Sequence, residues 1–283
     1  MQGLALYLIS ALLILALGAG CFFAGRSLRI RRFRSEYRLG PLSPAAPVGP
    51  VLVGKKEPED EPDLAAQNDA LRQSISDLER SYDTTLETLG TALDYKAAET
   101  EYHSRRVTAY SILLARVLGF SREEIKPLAR GAFLHDIGKI CIPDAILRKP
   151  GVLTPQETEL MKIHCLKGYQ MLRRVSFLQD AAEIAYSHHE RFDGSGYPRG
   201  LRGKDIPLGA RIFAIVDTFE AITTAHTYRP ARTIAEACAE IKLGSGTLFD
   251  PEITLVFLCV GASMWRKLRN EIDDPTPPDI PAA

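Results

Sequence analysis

Apolar positions along this chain follow two patterns. Between residues 64 and 89 they recur at alternating steps of four and three, through Leu64, Leu71, Ile75, Leu78, Tyr82 and Leu89, with Asn68 and Thr85 on the same stripe. Such a heptad seam predicts one long helix, and a lone Asn at a core position is a device that fixes register in parallel dimers. Two readings fit it: a coiled-coil homodimer through residues 64–92, or an amphipathic helix packed on its own domain. Farther on, apolar residues recur at helical spacing across Glu99–Leu118, over a stretch running to His135, and around His164. They dominate Ile184–Tyr186, Ile212–Val216 and Ile234–Ile241. Ser121 with Glu124, and Thr154 with Glu157, are capping-box signatures that start two of these helices. Ile253–Trp265 predicts a single buried terminal helix. Strand-like alternation is scarce, so the expected fold class is all-α.

The ends of the chain read differently. Leu4 to Gly25 carries no charged side chain and is long enough to cross a bilayer as a helix. Arg26, Arg29, Arg31, Arg32, Arg34 and Arg38 follow it directly, which by the positive-inside rule places the remainder in the cytoplasm. The positive n-region of a cleaved signal peptide is missing. Cys21 after Gly18-Ala19-Gly20 matches a lipoprotein cleavage site poorly. These features predict a single-pass protein of the bacterial inner membrane, anchored by residues 1–25. A basic, then proline-rich and acidic linker spans 26–63, the signalling helix 64–92, a catalytic domain 93–271, and a disordered tail 272–283. Basic and acidic residues balance at 35 each, and the basic block lies outside the candidate catalytic region, so nucleic acid is not an expected partner. The five cysteines show no paired metal spacing and read as buried, reduced thiols.

The candidate chemistry lies in an ordered series of histidines and acids. Glu99 and His103 are four residues apart, which on a helix puts them on one face. His135 adjoins Asp136 just before Gly138, where a break would let neighbouring side chains reach one ion. His164 stands alone, His188 adjoins His189, and Asp217 interrupts the apolar run Ile212–Val216. A buried carboxylate needs a strong partner, and neutral imidazole with carboxylate is a ligand set for iron, manganese or zinc. Each member alone has an ordinary structural reading. Together they point to metal-assisted hydrolysis of a phosphate ester.

The segments FLHDIGKICIPDAILRKPGVLT (133–154) and HHERFDGSGYPRGLRGKDIPLGARIFAIVD (188–217) closely resemble the HD-GYP subfamily of HD-domain phosphohydrolases. The likeness covers about Leu93 to Val260. It implies an HD-type helical bundle that hydrolyses cyclic di-GMP to the linear dinucleotide or on to GMP, with two or three divalent ions, iron or manganese foremost. Carried over by position, Glu99, His103, His135, Asp136, His164, His188, His189 and Asp217 match the metal ligands. Asp136 matches a carboxylate that bridges two ions, and Glu99 matches the extra acid of three-metal members. His135, Asp136 and Lys139 match the catalytic group, with Lys139 on the scissile phosphate. Tyr197, Arg229 and His226 occupy substrate-side positions.

Departures from the subfamily pattern cluster on the substrate side. Glu220 stands where an aspartate is usual, His226 where an arginine holds phosphate, Phe192 for a tryptophan and Leu248 for a glutamine. Histidine lacks arginine's fixed bidentate fork, so an altered dinucleotide preference is a second expectation. A third is a non-catalytic protein whose Gly194–Pro198 loop docks a diguanylate cyclase domain. The complete ligand series argues against that one.

Overall fold

The computed structural model describes residues 61–97, 100, 102–225 and 230–273. The chain divides into two compact units between Asn68 and Asp69. Of the first, the described part is the helical start of α1 (Glu61–Ala97). The second is made of helices: among the described residues there is no strand, only an isolated bridge between Ser245 and Phe249. The all-helical class expected from the scarcity of alternation therefore holds.

Beyond α1 come α2 (His103–Val117), α3 (Arg122–Phe133), the short α4 (Asp144–Leu147), α5 (Pro155–Leu172) and α6 (Gln179–Ser187). They are followed by α7 (Leu208–Thr223), α8 (Ile234–Leu243), α9 (Pro251–Leu258) and α10 (Ala262–Asp273). Both capping boxes read from the sequence are present, with Ser121 and Glu124 starting α3 and Thr154 and Glu157 starting α5. Thr233 and Glu236 form a third at α8. Each satisfies two backbone donors at a helix start, where no preceding carbonyl is available.

Two apolar cores hold the helices that carry the histidine series. One joins Leu93 of α1, Phe133 and Leu134 at the end of α3, Leu172 of α5 and Ala181, Ala182 and Ala185 of α6. The other is aromatic: Trp265 of α10 meets Tyr110 of α2, Phe219 of α7 and Phe257 of α9, with ring centres 5.1–5.5 Å apart. Edge-on and tilted rings at this spacing add stabilisation beyond their area. Past Leu134 and the His135-Asp136 pair comes a 3-10 turn, Ile137–Cys141, which joins the first core through Ile137 and packs on α5. Gly138 sits at the contact, where a Cβ would land on the His164 carbonyl oxygen and crowd the Gly168 nitrogen.

Several expectations are corrected. Glu99–Leu118 is not one helix. The helix restarts at His103 after Tyr102, whose φ of 63° is left-handed. Asp94 accepts hydrogen bonds from the Ser104 hydroxyl (2.6 Å) and backbone nitrogen (3.3 Å), doing at the α2 N-terminus what a preceding turn would do. Ile253–Trp265 is two helices, because the chain turns at Val260 and Gly261 and so brings Trp265 back into the aromatic core. Among the four described cysteines only Cys165 is buried, while Cys141 and Cys259 are exposed. The single-pass membrane placement is withdrawn: among the described residues no helix is long and apolar enough to cross a bilayer. Residues 4–25, on which that expectation rested, lie outside the described residues, as do the linker and the tail beyond 273.

The seam of α1 differs along its length. Toward its C-terminal end it packs on its own domain, with Leu93 in the core, Gly90 against Phe133 and Arg130 of α3 on Asp83 at 3.0 Å. Earlier, Leu71, Ile75 and Leu78 are 62, 52 and 52% exposed.

Gly138→Ala is expected to lower stability by about 1–3 kcal/mol, the range for forcing an extra methyl group into a packed contact. It should also loosen metal binding, because the turn holds Asp136 against α5. Thermal unfolding and metal titration of the variant measure both.

Candidate metal centre

His188 directly follows the last residue of α6, and His135 lies two residues past that of α3; the final carbonyls of both helices lack intrahelical partners. Each ring turns back to fill one of these gaps: His135 Nδ1 donates to the Ala132 carbonyl and His188 Nδ1 to that of Ala185, both at 2.9 Å. His164, inside α5, donates from Nδ1 to the Met161 carbonyl at 2.6 Å. A carbonyl only accepts, so the proton sits on Nδ1 in all three rings and Nε2 carries the lone pair in the neutral form. The three Nε2 atoms face one region. Those of His164 and His188 are 3.3 Å apart. Both helix C-termini add negative dipole ends to the same place.

Asp136 occupies the middle. Its Oδ2 lies 3.0 Å from His135 Nε2 and 2.7 Å from Lys139 Nζ. Its Oδ1 lies 3.3 Å from His164 Nε2 and 3.7 Å from His188 Nε2, yet is buried and makes no hydrogen bond. The ligand-type atoms form two groups, His103 with His135 and Asp217, and His164 with Cys165, His188 and His189, each with its atoms within 4.8 Å of one another. Asp136 presents one oxygen toward each group.

Charge explains the ionisation pattern. Burial pulls the His164 and His188 imidazolium forms down, and takes His189 to about 3, with neighbouring imidazoles adding to the effect. These rings are neutral at neutral pH, the state in which imidazole binds metal. His135 goes the other way: burial lowers it, but the adjoining Asp136 carboxylate outweighs burial and raises it. Burial favours neutral Asp136, yet His135 and Lys139 hold it well below the usual carboxylate range. Burial raises Asp217, against the opposing pull of His135 and His103. His135 Nε2 and the Lys139 ammonium both sit against the same Asp136 oxygen, Oδ2.

The residues therefore fit a divalent-metal centre. Two imidazole lone pairs, of His164 and His188, face one orphaned carboxylate oxygen that has no donor, and a cation would satisfy them together. Seven of the eight ligands named from the sequence are described and lie in this region; Glu99, His226 and Arg229 fall outside the described residues. Tyr197 borders the site, its ring 4.7 Å from that of His189 and 5.3 Å from Lys162 Nζ.

The supporting shell was largely missed from the sequence. His103 Nδ1 donates to Glu220 Oε2 at 3.0 Å, and Glu220 Oε1 accepts from Arg106 Nε and Nη2 at 2.9 and 2.7 Å and from the Thr224 hydroxyl at 2.9 Å. Arg106 also meets Asp273 of α10 at 3.0 Å. Glu220 lies three residues after Asp217, and Arg106 three after His103, a helical spacing that could have placed each beside its ligand. Glu190 is a second omission. Its carboxylate accepts the Arg199 and Leu201 backbone nitrogens at 2.8 and 3.1 Å and so anchors the Gly194–Pro198 loop behind His189. Gly196 lies so close to the backbone of His189–Arg191 that a Cβ would overlap it.

An all-helical domain that gathers a histidine–aspartate series of this kind has the architecture of the HD class. Residues 87–253 match the HD domain family, and the chain belongs to that family. It is 42% identical over 193 residues to a cyclic di-GMP phosphodiesterase of Thermotoga maritima, an alignment covering 68% of this chain and 52% of the relative. It is 43% identical over 183 residues to the cyclic di-GMP phosphodiesterase response regulator RpfG of Xanthomonas campestris, covering 64% and 48%. A 3'3'-cGAMP-specific phosphodiesterase 2 of Vibrio cholerae is 38% identical over 172 residues, covering 60% and 33%. The chain thus spans about half the length of the first two relatives. The crystal structure of a cyclic GMP-AMP phosphodiesterase of V. cholerae, V-cGAP3, superposes with a TM-score of 0.52 at 21% identity, over 67% of this chain and 50% of that one, a likeness of fold.

Glu220 yields a pH prediction. Burial favours its neutral form, but His103 and Arg106 hold it at about 2, below its ordinary 4.5. A carboxylate lowered on folding stabilises above its unfolded pKa, and that contribution fades as pH falls from 4.5 toward 2. Glu220→Gln should cost on the order of 3 kcal/mol near neutrality and progressively less on acidification through that window. Its amide can also donate to His103 Nδ1 and reverse the tautomer, weakening metal binding by roughly 10–100-fold. Denaturant unfolding at several pH values and calorimetric metal titration check the two effects.

Proposed function

We propose that this chain is a metal-dependent phosphodiesterase that hydrolyses cyclic di-GMP to the linear dinucleotide or to GMP. The observation that carries this reading is the orphaned Asp136 oxygen facing two imidazole Nε2 atoms, with the Lys139 ammonium on the other oxygen. His103, His135 and Asp217 would hold one ion and His164, His188 and His189 another, with Asp136 between them. We assign the phosphodiesterase domain to residues 93–271, preceded by the helix 64–92.

Bound divalent ions supply Lewis acidity and lower the pKa of coordinated water. The chain's own groups do the rest. Nδ1–H donation to Ala132, Met161 and Ala185 fixes the ring orientations, so no imidazole must turn during turnover. Lys139 has its ammonium beside Asp136, positioned to meet a phosphoryl oxygen and balance the charge that grows there. Tyr197, braced on His189 at the rim, is placed to meet the nucleotide. Arg229 and His226 are assigned to the phosphate grip from the resemblance.

The names of three Vibrio cholerae relatives favour one second reading, the same hydrolysis acting on 3'3'-cGAMP, while two others are named for cyclic di-GMP. We also assign a homodimer through the early part of α1, supported by the exposure of Leu71, Ile75 and Leu78.

Purified chain loaded with iron or manganese should convert cyclic di-GMP to linear products, read by chromatography. His135→Ala or Asp136→Ala should abolish conversion while leaving the helical circular dichroism signal largely intact. Either variant turning over at the wild-type rate would remove the assignment, and preferential turnover of 3'3'-cGAMP would select the second reading. For the dimer, Ile75→Glu with Leu78→Glu should give a monomer in sedimentation where the wild-type chain sediments as a dimer. A monomeric wild type excludes it.

A further inference from the structure

Cys165 is a ligand-type group in the site that the proposed mechanism leaves unused. Its side chain is fully buried, and its Sγ lies 3.4 Å from His164 Nε2. The sulfur falls within the 4.8 Å group formed with His164, His188 and His189. The bland account is a small core thiol donating a weak hydrogen bond to His164 Nε2. A second observation points to a missing ligand in the same place: Asp136 Oδ1 is buried without a hydrogen bond, 3.3 Å from His164 Nε2 and 3.7 Å from His188 Nε2. The sulfur and imidazole nitrogens lie within 4.8 Å of one another, and the unpartnered carboxylate oxygen sits beside two of those nitrogens, a donor set that offers an ion a soft ligand.

We propose that Cys165 ligates the metal in the His164–His188–His189 half of the centre, turning it into a mixed nitrogen–sulfur site that favours zinc or cobalt over manganese. The inference rests on the metal-centre reading above. On binding, the sulfur–metal bond forms as the thiol proton leaves to solvent, and the hydrogen bond to His164 is given up. Thiolate is a softer donor than carboxylate or imidazole, so it raises affinity for zinc and cobalt and contributes little for manganese. The two halves of the centre then differ: the His103–His135–Asp217 half has no sulfur and keeps the preference of nitrogen and oxygen ligands.

The probe is cobalt(II), added to the metal-free full chain and followed by absorption. The expected result is visible d–d bands together with an intense near-ultraviolet thiolate-to-cobalt band. Cys165→Ser should lose the near-ultraviolet band and keep the d–d bands. Competition titrations should show its zinc-over-manganese preference reduced by roughly tenfold or more, the scale for losing a group that supports a bound metal. Cobalt bound with d–d bands but no thiolate band in the wild-type chain overturns the Cys165 assignment and leaves the metal centre standing. A thiolate band that survives in Cys165→Ser assigns the sulfur to another cysteine and overturns it equally. No cobalt uptake overturns the metal centre itself. The wild-type spectrum decides the first point without a variant, so misfolding of Cys165→Ser, checked by circular dichroism, leaves that test in force.

Discussion

The structure depends on a carboxylate that would be intolerable without a cation. Asp136 is buried where the end of α3 meets α5 and α6, with three imidazole Nε2 atoms and one ammonium around it. Its desolvation is a penalty that only opposite charge can offset. Nearby features follow from that need. Helices α3 and α6 stop where their C-terminal dipoles favour a cation, and Gly138 lets the turn carrying Asp136 come down onto α5. The apolar core of Leu134, Leu172 and Ala185 and the aromatic core around Trp265 then hold the contributing helices in place.

Fixing the tautomers is the second half of this arrangement. A histidine just past a helix end finds an orphan carbonyl three residues back, and the bond between them sets which nitrogen carries the proton. His135 and His188 use this device. His103, at the start of α2, has no such carbonyl and relies on Glu220 instead. That difference in position explains why His103 needs a buried acid held by Arg106 while His135 and His188 need only backbone.

What could be read in the sequence was local. Ser121–Glu124 and Thr154–Glu157 announce helix starts because a capping box is complete within four residues, and His135-Asp136 before Gly138 announces a break for the same reason. Adjacent motifs and the resemblance together drew the ligands into one site. What escaped was set by contacts between distant stretches. Glu220 reaches His103 across 117 positions, and Asp94 takes over the α2 N-terminus from ten residues upstream. Tyr102 was unreadable because a left-handed backbone is commonly marked by glycine, and here a tyrosine adopts it. Cys165 was set aside for want of a paired cysteine, although its partners are imidazoles.

The Arg106 guanidinium clamps Glu220 with one side of its fork and Asp273, in the last turn of α10, with another. Arg269 of the same helix ties to the Thr223 carbonyl and the Thr224 hydroxyl, at the end of the helix that carries Asp217. On the proposed metal-centre reading, docking of α10 and occupancy of the His103 half would be thermodynamically linked, and linkage runs in both directions. Whatever strains or steadies the C-terminal helix changes how firmly His103 is aimed. A filled site, on that reading, would in turn make that helix harder to peel away, so the end of the described chain would report on a centre it does not touch.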